Sequence, residues 1–333
     1  MTNPNTPING HILHTANTPT PHPAPDLLII DLGRRGLRAH RTGTNSTAAL
    51  DIPDLAHTTL DTDTLLTTCQ PLLTTGPAPP HHVIAAIDPT THPLDLGHLH
   101  TRLTHETNAP TLVVDSLLTT LFGALENVHA GVIVDLGATA AGLATNLKDT
   151  WQRLDGWGNL LGGRGSAAWI GKEGLCAALR ARDGVPNGSE KLLDLARNAF
   201  GTENAWPQLF STPGTHDLLA DFAPLVARAC VDGDPIAQFI IRAAGEHIAD
   251  TLTAGTTLVP DGAITVTGEL LMIEAVKIAI ASALGKRRLF LVPALHDSRY
   301  GAEKLGEWLC EGNQLPHKPP FVHRGDHRAL SAT

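Results

Sequence analysis

The chain has 333 residues, 42% of them hydrophobic, and carries 24 Lys and Arg against 33 Asp and Glu, a formal net charge of -9. Length and composition suit two globular domains, and an acidic balance without a long basic run excludes a nucleic-acid backbone as the main partner. No apolar run approaches the roughly 20 residues that span a bilayer, so no membrane segment is expected.

The first 25 residues, rich in Thr, Pro, Asn and His, read as a flexible tail. After them, Leu27 to Asp31 and Arg38 to Arg41 read as a hairpin, Asp61 to Leu73 as a helix, and Val83 to Ile87 as a strand. Thr111 to Asp115 follows as a strand feeding a helix through Leu125. A second unit starts with strands at Val132 to Asp135 and Gly142 to Asn146, then a loop-rich stretch. Helices are expected at Ser166 to Ala181, Ser189 to Phe200, His216 to Cys230, and Pro235 to Thr253, where Pro occupies a favourable first position. "AITVTGELL" and "RLFLVPA" read as short strands, Ala302 to Cys310 as a closing helix, and the remainder as a second tail.

Each unit opens on an apolar run ending in Asp-Leu-Gly, at Asp31-Leu32-Gly33 and Asp135-Leu136-Gly137. A duplicated domain explains the repetition. Tight turns of this kind expose consecutive N–H groups that cradle phosphates, and glycine permits close approach. An Asp at the strand end can hold a metal-bound water beside them. A lone copy reads more readily as a polar hairpin turn, and duplication at the same topological place shifts the balance towards the phosphate reading.

The stretch "RLDGWGNLLGGRGSAAWIGKEG" carries Gly156, Trp157, Gly158, Leu161, Gly162, Gly165, Ser166, Trp169, Ile170 and Gly171 in a distinctive order. It resembles the N-acetylglucosamine kinase and BadF/BadG/BcrA/BcrD ATPase branch of the actin, sugar kinase and Hsp70 superfamily, over roughly residues 26–312. The resemblance implies an α/β fold of two ribonuclease H-like, actin-like ATPase lobes around an interdomain cleft. It assigns residues 26–125 to an N-terminal lobe completed by a helix at 299–312, and 126–298 to a C-terminal lobe, with tails at 1–25 and 313–333.

It further implies ATP and Mg²⁺ as cofactors and phosphoryl transfer to the hydroxyl of an amino sugar. Asp115 matches the catalytic base, although a strand-end Asp is also a good helix N-cap. Nucleotide and phosphate contacts fall on Asp31, Gly33, Arg35, Asp135, Gly137, Thr139, Gly268 and Glu269, with Asp31 and Asp135 as the metal candidates. Sugar contacts fall on Gly156, Trp157, Gly158, Gly163 and Arg164. A homodimer is the implied assembly.

Several positions depart from the family pattern. Arg34 and Arg35 stand where a phosphate loop carries Gly and Thr, Gly163-Arg164 replaces Asp-Glu, and Thr267-Gly268-Glu269 replaces Thr-Gly-Gly. The arginines either fill a dead nucleotide cleft or recognise phosphate or carboxylate on an anionic metabolite. An inactive pseudokinase acting as a ligand-sensing or partner-binding scaffold is therefore the alternative function.

The 18 His, including His81-His82 and His98-x-His100, read as solvated loop composition rather than as metal ligands. Cys69, Cys176, Cys230 and Cys310, scattered and without a signal-peptide core upstream, read as reduced thiols of a cytoplasmic protein.

Overall fold

The computed structural model of the protein describes residues 24–33, 35–42, 49–53, 60–74, 78–212 and 214–325. Arg34, residues 1–23 of the tail expected at 1–25, and residues 326–333 of the tail expected at 313–333 lie outside the described residues. The first half contains β1 (Leu27–Gly33), β2 (Gly36–Arg41), β3 (Ala49–Ile52), α1 (Thr62–Leu73), β4 (His82–Ile87), α2 (Leu96–Thr107), β5 (Thr111–Asp115) and α3 (Ser116–Leu125). The second starts with β6 (Gly131–Leu136), β7 (Ala140–Thr145), β8 (Trp151–Asp155) and the short α4 (Gly158–Leu161). It continues through α5 (Ala167–Arg182), α6 (Glu190–Phe200), α7 (Trp206–Leu209), α8 (Thr215–Val231), α9 (Pro235–Leu258), β9 (Ala263–Thr267) and α10 (Glu274–Lys286). Helix α11 (Ser298–Cys310) and strand β10 (Val322–Arg324) then return to the first sheet.

The two sheets share one plan. In the first, ordered β10-β5-β4-β1-β2-β3, β1 pairs antiparallel with β2 and parallel with β4. In the second, ordered β8-β7-β6-β9, β6 pairs antiparallel with β7 and parallel with β9. Each Asp-Leu-Gly thus ends a central strand, and the duplicated sequence pattern corresponds to a duplicated sheet. Two lobes of α/β structure result, as expected from the repeat.

Strands covered on both faces explain the near-continuous apolar runs of β1, β4, β5 and β6. Alternate residues of β1 serve different cores: Leu28, Ile30 and Leu32 pack with Leu65, Leu66 and Leu72 of α1, whereas Leu27 and Ile29 pack with Phe122 of α3 and Leu305 of α11. That second core also contains Ile133, Leu143 and Trp151 from the other sheet, so α3 is the apolar link between lobes. No helix among the described residues is long and apolar enough to cross a membrane.

Four readings change. The expected tail from residue 313 instead supplies β10, which pairs antiparallel with β5 because Phe321 and Val322 are apolar and find the open edge of that strand. "RLFLVPA" is not a strand: Val292 N donates to Ile264 O (2.7 Å), but the Thr265 hydroxyl takes the Val292 carbonyl (2.9 Å), and Leu295 N turns to Ala124 O (3.2 Å). Pairing with β9 therefore stops after one bond. His98 and His100 lie on α2, whose N-cap Asp95 accepts from His98 N at 2.9 Å, not in a loop. Residues 151–155, read as loop, form β8, with Trp151 and Leu154 buried.

Candidate active site

The carboxyl ends of β1, β4 and β5 from one sheet, and of β6 and β9 from the other, open onto a cleft of about 1100 Å³. This is where open α/β sheets hold ligands. Asp31, Gly33, Arg35, Asp135, Gly137, Thr139, Gly156, Gly158, Gly163, Gly268 and Glu269 all line it. Asp115, Trp157 and Arg164 do not: Asp115 is buried behind the wall, while Trp157 is 65% exposed at the rim.

The first turn is closed by charge. Asp31 and Arg38 are partners in the β1–β2 register and form an ion pair through Asp31 Oδ2. Ser298 Oγ donates to Asp31 Oδ1 at 2.9 Å. Arg38 Nη1 also donates to Asp297 Oδ2 at 2.5 Å, and Arg35 Nη1 reaches the same oxygen at 3.5 Å. Burial raises the Asp31 carboxyl above its ordinary range despite the guanidinium beside it. Burial opposes ionisation of Asp297 as well, yet the bonds from Arg38 and from Tyr300 N leave its carboxyl below the usual value. Both Asp31 oxygens are thus engaged, and this donor set does not fit a Mg²⁺ water shell.

The second turn is built differently. Gly137 N donates to Thr139 O (2.9 Å), while the carbonyls of Gly137 and Ala138 accept from Ala167 N (3.0 Å) and Ala168 N (3.2 Å) at the start of α5. With these carbonyls turned towards α5, the Ala138 and Thr139 amides have no backbone acceptor among the described residues. Consecutive amides left without a backbone acceptor are groups that an anion can bond. Opposite this turn, Gly268 has φ 109°, and a Cβ there would meet Leu136 O at 1.9 Å, so only glycine permits the β9 turn to close against β6.

Behind the cleft wall, Asp115 caps α3, accepting from Leu117 N at 3.0 Å through Oδ1, and pairs with Arg153 through Oδ2. Burial pushes its carboxyl up to about 6, Arg153 pulls the other way, and the neighbouring Asp88 charge adds to the rise. The helix-cap reading of Asp115 is realised, and the same side chain is gripped by a guanidinium behind the cleft wall.

The Gly-Trp-Gly loop is tied to a buried carboxylate. Asp155 Oδ1 accepts from Gly156 N and Gly163 N, both at 2.8 Å, and Oδ2 accepts from Arg164 N at 3.1 Å. Asp155 takes φ 54°, a left-handed conformation that Asp tolerates better than most residues. Arg164 itself points outward, its side chain 60% exposed.

Sequence reading missed Arg38, Asp88, Arg153, Asp155, Asp297, Ser298 and His216. Two signals were available: counting the hairpin register outward from its turn sets Arg38 opposite Asp31, and Asp88 directly follows the apolar run of β4. Asp88 is held by Thr90 N (2.9 Å) and by the Thr90 and Thr91 hydroxyls (2.5 and 2.9 Å).

A sequence profile of the BadF/BadG/BcrA/BcrD ATPase family matches residues 115–296. No curated protein matches the chain. Among solved structures, a candidate N-acetylglucosamine kinase from Chromobacterium violaceum is similar at 22% identity and TM-score 0.61, over 86% of this chain and all (100%) of that one. A second candidate N-acetylglucosamine kinase, from Porphyromonas gingivalis, is similar at 16% identity and TM-score 0.59, over 84% and 98% of the two chains. A candidate N-acetylmannosamine kinase from Listeria monocytogenes is similar at 12% identity and TM-score 0.56, over 86% and 100%. At these identities the likeness is one of fold, the two-lobed architecture already described. The profile match covers more than half of the sequence and includes both Asp115 and the Gly-Trp-Gly loop, and the chain belongs to the BadF/BadG/BcrA/BcrD ATPase family.

Proposed function

We propose that the protein transfers a phosphoryl group from ATP to a hydroxyl of a hexosamine-like sugar, with Asp115 as general base. The observation that carries this reading is Asp115: a carboxylate at a strand end directly behind the cleft wall, next to the lining residue Ser116, oriented by a backbone amide and a guanidinium, with its pKa raised to about 6. A base with a pKa near the working pH accepts a hydroxyl proton most effectively. Bound ATP would supply the phosphoryl group, its phosphates meeting the amides of the Gly137–Thr139 turn and its nucleoside the Gly268 turn. Gly156, Gly158 and Gly163 would leave room for the sugar beside Asp115. No role is assigned to a metal at Asp31, whose oxygens are taken by Arg38 and Ser298.

That same Asp31–Arg38 pair favours a second reading, in which the cleft binds nucleotide without turnover and reports its occupancy to a partner. One experiment separates the two: ATP, Mg²⁺ and a panel of amino sugars are incubated with the protein and with Asp115→Asn, while ADP formation and nucleotide binding are followed in parallel. Transfer by the wild type, lost in the variant with binding retained, supports the kinase. Binding without transfer supports the second reading, and absence of nucleotide binding by calorimetry overturns both.

A further inference from the structure

Arg153 comes from the other lobe than the carboxylate it grips. It lies on β8, the edge strand of the second sheet, opposite Leu143 of β7, whereas Asp115 ends β5 of the first sheet. Their side chains are 17% and 1% exposed, so the pair is shielded from water and salt. Gly156, on the cleft wall, packs directly on the arginine: a Cβ there would stand 3.5 Å from Arg153 Nη1 and 3.6 Å from Cδ. The guanidinium is thus sandwiched between the Asp115 carboxylate and the Gly-Trp-Gly loop.

The remaining surroundings of Asp115 leave the arginine as its single cationic partner among the described residues. Its Oδ1 takes Leu117 N from α3, and its backbone N donates to Phe321 O beside β10 at 2.9 Å. Across the end of β4 stands Asp88, a like charge. A buried carboxylate beside another carboxylate is driven towards the protonated form unless a cation opposes it, and a protonated carboxyl cannot act as base.

We infer that Arg153 is the positioning residue of this site, holding Asp115 ionised and aimed from across the lobe boundary so that the base is competent only while β8 and β5 keep their relative placement. This rests on the kinase reading given above, but its test has an arm that does not. The ion pair needs no departing group or co-reactant: the arginine keeps its proton throughout, and Asp115 alone takes up and releases one.

The test compares full-length wild type, Arg153→Lys and Arg153→Gln, each checked for an intact fold by circular dichroism. The Asp115 carboxyl is titrated by carbon-13 NMR in the ligand-free protein, with Asp115→Asn identifying its signal. The pH profile of phosphoryl transfer is measured in parallel. In Arg153→Gln the carboxyl titration is expected to move up by at least about one pH unit, and the acid limb of kcat with it, while Arg153→Lys retains most of the wild-type position. The KM for ATP should stay within about two-fold, because the arginine lies on the acceptor side. Equal titration midpoints in wild type and Arg153→Gln would overturn the inference, whether or not any variant is active. If all three proteins lack transfer while the midpoint moves as stated, the kinase reading falls and the electrostatic role of Arg153 stands. A Arg153→Gln chain that does not fold shifts the decision to Arg153→Lys, for which a midpoint displaced as far as an uncharged residue would displace it counts against the inference.

Discussion

Asp31 and Arg38 are direct partners across the β1–β2 hairpin, and their ion pair stands where the β1–β2 turn opens onto the cleft. The arginine side chain is 14% exposed and the aspartate 6%, so neither charge is relieved by water. Arg38 also holds Asp297, the N-cap of α11, and thereby ties a hairpin near the start of the chain to a helix near its end. The Asp31–Arg38–Asp297 cluster gives this corner of the cleft a structural role.

Removing one partner of that pair should cost far more than the pair contributes. Arg38→Met would leave Asp31 buried beside Asp297 without a cation, and breaking a buried pair in this way typically costs about 3–5 kcal/mol. Adding Asp31→Asn should restore most of the loss. Urea unfolding of the two single variants and the double variant measures the coupling. Simple additivity of the two substitutions would show that the pair is not coupled.

Asp155 should control the order of the Gly-Trp-Gly loop. Asp155→Ala deletes acceptors for three backbone amides, each charge-assisted bond being worth about 1.5–3 kcal/mol, and puts a residue with no side-chain oxygen at a left-handed φ. Asp155→Asn keeps an acceptor and tolerates the backbone. Hydrogen exchange of the amides of Gly156, Gly163 and Arg164 is expected to accelerate at least about ten-fold in the alanine variant, and much less in the asparagine variant. Equal exchange in all three proteins would refute the tether.

The two lobes were legible because each Asp-Leu-Gly ends an apolar run and such runs form the central strands of sheets covered on both faces. Long helices such as α5 and α9 were legible too, with Pro235 at the first position of α9 as expected, and the structure adds Ser166 and Asp234 as their N-caps. β10 was not, since three residues carry no period and its strand character comes wholly from the free edge of β5. The same holds within the site. Asp115 and the cleft glycines stand inside motifs, whereas Arg153 and Arg38 acquire meaning only through a partner brought close by pairing, and an isolated arginine in a strand has no distinguishing local pattern.

Gly268 should admit no side chain. Its φ of 109° is strained for any L-residue, and a Cβ would collide with Leu136 O at 1.9 Å. Since Leu136 precedes Gly137, Gly268→Ala should push the β6 turn and the β9 turn apart. The expected result is a folded protein whose melting temperature, unlike that of the wild type, does not rise with added ATP. Retention of the full nucleotide-induced shift would show that the two turns do not act together.

Burial of Asp115 predicts a pH dependence whose sign is opposite to that of a surface carboxylate. Its pKa is raised to about 6 in the folded chain against roughly 3.9 when unfolded. The folded state therefore holds this proton more tightly, and the group stabilises the fold relative to its ionised form at low pH. The contribution is complete below the unfolded value and is lost as pH climbs through the folded value, a span of about two units, or about 3 kcal/mol. Asp31, also raised by burial, acts in the same direction, while Asp297, lowered by its bonds, acts against it. Asp115→Asn removes the titrating proton but leaves an amide oxygen to cap α3, so subtracting its unfolding free energy from that of the wild type isolates the Asp115 contribution. That difference should fall between about pH 4 and pH 6 and be flat above it. A difference that rises over this window would mean that Arg153 dominates burial and that Asp115 is ionised well below pH 6.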